Sequence, residues 1–184
     1  MFLAENIEKG KWWDEGIKLV SGCTKISESC DNCWALGMEA RYGEPTEVVF
    51  HEERLKRFTK KKPTVFAIWN DLFHEKVTDQ EIFYALGVMC IQGAGHLYLI
   101  LTKRPERARL CFDKLSEIYP DGEILKNLWL GTTVENQRTA DERIPLLLQT
   151  PASKRFLSVE PMLGEVNLVG MYEYFLNHSA QLTR

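Results

Sequence analysis

Two short runs constrain this chain most: Val-Phe-Ala-Ile-Trp at 65–69 and Leu-Tyr-Leu-Ile-Leu at 97–101. Each is apolar throughout, the pattern of a parallel strand buried on both faces. Strands are expected at Ile17–Val20, Glu47–Phe50, Thr64–Trp69, His96–Leu101, Asn127–Gly131 and Arg155–Val159. Between them the apolar period becomes helical. Thr78-Asp-Gln-Glu81 reads as a capping box ahead of a stripe of Ile82, Leu86, Met89 and Cys90. Pro105 suits the first position of a helix with Ala108, Cys111, Phe112, Leu115 and Ile118 on its apolar face. Thr139-Ala-Asp-Glu142 opens another helix, which Pro145 is expected to break before Leu146–Leu148. The alternation predicts an α/β fold with a parallel sheet and helical crossovers. An open doubly wound sheet and a partial α/β barrel both fit it.

With 184 residues the chain suits a single domain, and its net charge of −3 exerts no global pull on nucleic acid or membrane. No apolar run approaches the roughly 18 residues of a membrane span. The opening MFLAENIEKGKWWDEG is too polar for a signal peptide. A cytoplasmic location is therefore expected, where the five cysteines stay thiols or metal ligands. Cys90 and Cys111 fall in helical patterns and read as packed apolar residues.

The other three cysteines, Cys23, Cys30 and Cys33, form a C-x6-C-x2-C cluster within eleven residues. Three thiolates can hold a soft metal or an iron–sulfur cluster and leave one coordination position open, an arrangement suited to reaction. A closed zinc site would need a fourth ligand. No second C-x2-C occurs, and His51 and His74 lack supporting spacing. Iron–sulfur is preferred and zinc stays open.

In either α/β architecture the working face lies beyond the carboxyl ends of the strands. Asn70-Asp71 with His74-Glu75, Lys103-Arg104, Glu135-Asn136 and Glu160 fall at those ends. Singly, each reads as a helix cap or a solvated loop charge. Together on one rim they become candidates. A separate basic segment holds Arg54, Lys56, Arg57, Lys60, Lys61 and Lys62, with Phe50, Phe58, Phe66 and Trp69 nearby. That combination can meet phosphates and stack bases. The negative net charge favours a solvated helix end and turn instead.

Gly22-Cys23-Thr-Lys-Ile-Ser, Cys30-Asp-Asn-Cys33-Trp34-Ala35, Asp71-Leu-Phe-His74-Glu75, Leu101-Thr-Lys-Arg-Pro-Glu-Arg107, Val134-Glu-Asn-Gln-Arg-Thr-Ala-Asp-Glu-Arg143 and Ser158-Val-Glu-Pro161 occur in that order. Across residues 17–164 this set resembles a bacterial and phage-borne family of unknown function, the three-cysteine-motif phage proteins. That family in turn resembles radical S-adenosylmethionine (SAM) enzymes, with C-x6-C-x2-C replacing their C-x3-C-x2-C.

The resemblance implies a TIM-like partial (β/α)6 barrel, a single domain over residues 1–184. It implies a 4Fe–4S cluster on Cys23, Cys30 and Cys33, with SAM on the open iron. An electron from a donor such as flavodoxin or ferredoxin would cleave SAM to a 5′-deoxyadenosyl radical, which takes hydrogen from an unknown substrate. Asn70, Asp71, Lys103, Arg104, Glu135, Asn136 and Glu160 become SAM-binding candidates by the same resemblance. Lys103 or Arg104 would hold a carboxylate, and Glu135 or Glu160 an amine or ribose hydroxyls. The alternative is a non-catalytic zinc- or cluster-stabilised phage accessory domain that binds nucleic acid through the basic segment. The chain departs from the family in its Trp12-Trp13-Asp14-Glu15 lead, and after the Glu-Pro motif it lacks a Gly-Gly-Glu-Ser-Gly-type segment. It is therefore expected to be a truncated form with an atypical tail from about residue 170.

Overall fold

The computed structural model describes residues 11–43, 47–120 and 125–169; the atypical tail lies outside the described residues. In chain order the strands are β1 (Glu15–Lys18), β2 (Val20–Ser21), β3 (Val49–Phe50), β4 (Val65–Trp69), β5 (Leu97–Thr102), β6 (Leu128–Thr133) and β7 (Lys154–Ser158). The α-helices are α1 (Trp34–Tyr42), α2 (Asp79–Gly87), α3 (Pro105–Ile118) and α4 (Gln137–Gln149). Short 3-10 helices cover Glu28–Cys30 and Glu52–Thr59, and a π-helical turn covers Val88–Gln92.

Five strands form one parallel sheet in the order β1-β4-β5-β6-β7. Each new strand joins on the same side as the last. With right-handed crossovers, such winding places the connecting helices on one face, unlike a doubly wound sheet. The packing agrees. Phe66, Ile68, Tyr98, Ile100, Leu128 and Leu130 share one core with Ile82 and Leu86 of α2, Ala108 and Phe112 of α3, and Leu147 of α4.

The expected partial (β/α)6 barrel is corrected in its strand count. The segment anticipated as a second sheet strand, Glu47–Phe50, shrinks to β3 and pairs antiparallel with β2. Val49 is exposed there, so this strand has no second buried face to bring into a covered sheet. The main sheet holds five strands, with β1 and β7 as its two edges among the described residues.

The face away from the helices is built from alternate residues of the same strands. Val65, Leu97 and Leu99 pack there against Trp13, Trp129 and Phe156. Trp12 stands edge-on to Phe156 at 5.3 Å. Glycine makes room for these rings. A Cβ on Gly16 would lie 2.4 Å from the Trp69 ring, and one on Gly131 would lie 2.3 Å from Phe156. Gly131→Ala should therefore destabilise the fold by roughly 1–3 kcal/mol through overpacking. Urea unfolding checks this; an unchanged midpoint would mean that Phe156 moves aside freely.

Local signals in the sequence act as expected at several helix ends. Thr78 and Glu81 form a reciprocal capping box, and Pro105 opens α3. Cys90 and Cys111 are buried; burial pushes the Cys90 thiol up to about 12 and raises Cys111 as well. Two expectations fail. Ile118, the last residue of α3, is exposed. Pro145 does not interrupt α4, which runs unbroken over Gln137–Gln149. Proline there forgoes its bond to the carbonyl of Asp141, an exposed residue whose oxygen water can satisfy.

Candidate functional site

At Leu19 the chain leaves the main sheet, and β2 carries it over the carboxyl edge into the cysteine loop. Gly22 turns the backbone with φ 68°, a left-handed value that glycine adopts without strain. Its amide donates to Oε1 of Glu39 at 3.0 Å. Glu39, on α1, is almost fully buried. The same oxygen accepts from Asn70 Nδ2 at 2.9 Å and Lys18 Nζ at 3.3 Å. Three elements thus meet on one carboxylate at the loop's start. Glu39 Oε2 and Asn70 Oδ1, both buried, have no hydrogen-bond partner among the described residues.

The next anchor grips Thr24. Arg104 Nη2 donates to Thr24 Oγ1 at 3.0 Å, while its Nε reaches Glu75 at 2.7 Å and its Nη1 reaches Asp71 at 3.0 Å. Burial opposes the guanidinium's charge, but Glu75 and Asp71 outweigh it and hold the pKa above its ordinary value. Asp71 also accepts from Thr102 Oγ1 at 2.6 Å and from the Lys103 amide at 3.1 Å. His74 completes this anchor. Burial and the Arg104 charge keep its pKa below the ordinary value. The Lys76 amide approaches Nδ1 at 3.1 Å and the Thr24 amide approaches Nε2 at 3.2 Å, with Thr24 Oγ1 2.9 Å from Nε2; the neutral ring accepts at one nitrogen only, so the tautomer decides which bond forms.

The third anchor lies across the sheet. Glu135, just past β6, is buried, and its Oε1 accepts from Ser27 Oγ at 2.7 Å and Ser29 Oγ at 2.6 Å. The same oxygen lies 3.0 Å from Lys103 Nζ and 3.2 Å from Arg143 Nη1. Burial raises the carboxyl's pKa. The serine hydroxyls and two cations more than offset this and bring it down to about 2.

The thiols sit among these anchors. Lys103 Nζ lies 3.5 Å from Cys30 Sγ, and Arg104 Nη1 lies 4.0 Å from Cys23 Sγ. Burial raises the pKa of both thiols. At Cys23 it prevails over Arg104, so that thiol stays raised. At Cys30 the backbone at Ile26, the Ser27 hydroxyl and the Lys103 charge win, and the thiol is lowered. Cys33 is the N-cap of α1, and its amide approaches the Cys30 carbonyl at 3.4 Å. Among the described residues no three His, Cys, Asp or Glu side chains already stand as a metal-binding group. By chemistry alone, three thiols on one loop are donors that a soft metal or an iron–sulfur cluster takes. Two cations lie within 4.0 Å of thiol sulfurs, and Glu135, Asp71 and Glu75 are occupied by hydrogen bonds.

Of the rim candidates, Asp71, Lys103, Arg104 and Glu135 converge on the loop, and Asn70 joins through Glu39. Asn136 instead caps α4, accepting from the Thr139 amide at 3.0 Å. Glu160 is exposed and precedes a cis bond to Pro161.

The basic segment runs along the β1 edge, from Arg54 at the carboxyl end of β1 to Arg57 and Lys60 beside Glu15 at its amino end, and leads into β4. Glu15 pairs with Arg57 at 2.7 Å and also with Lys60, and Arg54 donates to the Lys18 carbonyl at 2.8 Å. Phe58 and Phe66 are fully buried and unavailable to bases. Lys56, Lys61 and Lys62 remain exposed.

Sequence reasoning missed Glu39, Ser27, Ser29 and Arg143. Helix α1 is inverted, with Trp34, Met38 and Tyr42 exposed and Glu39 buried, so its amphipathic pattern conceals the functional face. The serines carry no local signal, because their partner is 108 and 106 residues away. No helix among the described residues is long and apolar enough to cross a membrane.

No curated protein and no solved structure matches the chain. A family profile does match residues 7–175, covering the cysteine loop and every anchor just described. The chain belongs to that family, described as protein of unknown function (DUF5131).

Proposed function

We propose that this chain carries a 4Fe–4S cluster on Cys23, Cys30 and Cys33 and acts as a radical-SAM-type protein on an unidentified substrate. The observation that carries the reading is the loop itself. Three thiols lie at the carboxyl edge of a parallel sheet wound in one direction, on a loop held at Gly22, Thr24, Ser27 and Ser29 by buried side chains. Preorganisation of this kind suits a loop that must receive a cofactor rather than merely join two elements. The bound cluster would supply one electron for reductive cleavage of SAM.

The chain's own residues divide the remaining work. Lys103 and Arg104 are already paired with Glu135, Asp71 and Glu75 and lie 3.5 and 4.0 Å from Cys30 and Cys23 Sγ, so they suit N–H contacts to ligand sulfurs better than capture of a ligand carboxylate. The unpartnered oxygens of Glu39 and Asn70 are acceptors suited to an ammonium group. An electron donor such as flavodoxin or ferredoxin would be needed. We place the protein in the cytoplasm, where thiols stay reduced.

The test is anaerobic reconstitution, followed by electron paramagnetic resonance of the dithionite-reduced protein with and without SAM. A 4Fe–4S signal that shifts with SAM is expected in the native protein. Cys30→Ala should lose it. A colourless protein with one equivalent of zinc would replace this reading with a metal-stabilised, non-catalytic accessory domain. That second reading draws support from the number of rim charges already spent on holding the loop.

A further inference from the structure

We infer that Lys103 is a positioning and tuning residue, a fixed N–H···S donor that sets the reduction potential of whatever iron–sulfur centre Cys30 holds. The inference rests on the cluster reading above. Lys103 Nζ is not a free surface ammonium. Glu135 holds it at 3.0 Å, Ser29 Oγ contacts it, Ser27 Oγ lies at 3.5 Å, and Cys30 Sγ lies at 3.5 Å on the same nitrogen. Glu135 is in turn fixed by Arg143 and both serines. The lysine therefore cannot follow a ligand or swing to solvent without leaving a buried carboxylate short of a partner.

This arrangement differs from a lysine that simply balances charge. Ser27 and Ser29 belong to the cysteine loop, so Glu135 anchors the loop and the ammonium together. The distance from nitrogen to sulfur is set by the same clamp that sets the loop. A cationic donor at a ligand sulfur stabilises the more negative, reduced form of a cluster, and hydrogen bonds to sulfur are a principal control of cluster potential. Arg104 is held less closely to its thiol, at 4.0 Å from Cys23 Sγ, and is shared among Glu75, Asp71 and Thr24. Its effect should be the smaller.

The experiment is a redox titration of the reconstituted protein under anaerobic conditions, in which dithionite delivers one electron per cluster and paramagnetic resonance reads the reduced fraction. Lys103→Met should shift the midpoint potential in the negative direction at unchanged iron content, and Lys103→Arg should restore most of the shift. Equal potentials in the native protein and Lys103→Met would overturn the inference while leaving the cluster reading intact. If Lys103→Met alone fails to fold, Lys103→Gln keeps a neutral N–H donor for Glu135 while removing the positive charge, and should still show a negative, smaller shift. Failure of both variants to load iron, with the native protein loaded, would assign Lys103 to the fold and overturn tuning. A native protein that takes no cluster overturns the underlying reading and this inference with it.

Discussion

Glu135→Ala is expected to lower the unfolding free energy by about 3–5 kcal/mol, the usual cost of breaking a buried ion pair by removing one partner. Glu135 is buried and Arg143 nearly so, and without the carboxylate Arg143 and Lys103 lose their shared counter-charge. The effect should depend on pH. The folded carboxyl titrates at about 2, below its ordinary value of 4.5. A depressed carboxylate contributes stability above its unfolded pKa and loses it as pH falls through the folded one. The difference corresponds to about 3 kcal/mol. Urea unfolding of native and variant proteins should therefore show a wide gap at neutral pH that closes between about pH 4.5 and pH 2. A gap of constant width would mean that Glu135 acts through packing alone.

The second large effect is expected from Phe58→Ala, with a cost of about 3–5 kcal/mol and a fall in Tm of roughly 6–20 °C. Phe58 is fully buried. Its ring stands 5.0 Å from Phe66 and 4.8 Å from Tyr98, both edge-on, and joins the 3-10 segment Glu52–Thr59 to the helix-covered face of the sheet. The variant separates two roles for that segment. If Phe58 stacked on bases, alanine would weaken nucleic-acid binding and leave the melting temperature unchanged. Calorimetry alone distinguishes the outcomes.

The outline of the fold was written locally. The continuous apolar runs of β4 and β5 mark strands covered on both faces, and the box at Thr78–Glu81 and the proline at 105 mark helix starts within one turn of where they occur. The same local signals misread β3 and Pro145. A two-residue pairing looks like a strand from any distance in sequence, and a helix held by packing on its neighbours can tolerate a proline. The direction of winding was left open by the alternation of elements. Only the order β1-β4-β5-β6-β7 distinguishes a sheet wound one way from one wound both ways.

The candidate site divides along the same line. Sequence alone determined that Cys23, Cys30 and Cys33 share a loop and that Asp71, Lys103, Arg104 and Glu135 follow strand ends, because spacing along the chain and strand polarity suffice for both. Tertiary structure decided what these charges do. Candidates for ligand contact also hold the loop: Glu135 reaches serines 108 and 106 positions away, and Arg104 reaches Thr24 across 80 positions. It also turned Glu39, on a helix whose apolar residues face outward, into a buried anchor. Periodicity and capping are properties of neighbours along the chain. The partner of a buried charge is fixed only when the sheet brings distant strand ends onto one edge, where an unpaired carboxylate would cost more than its anchors require.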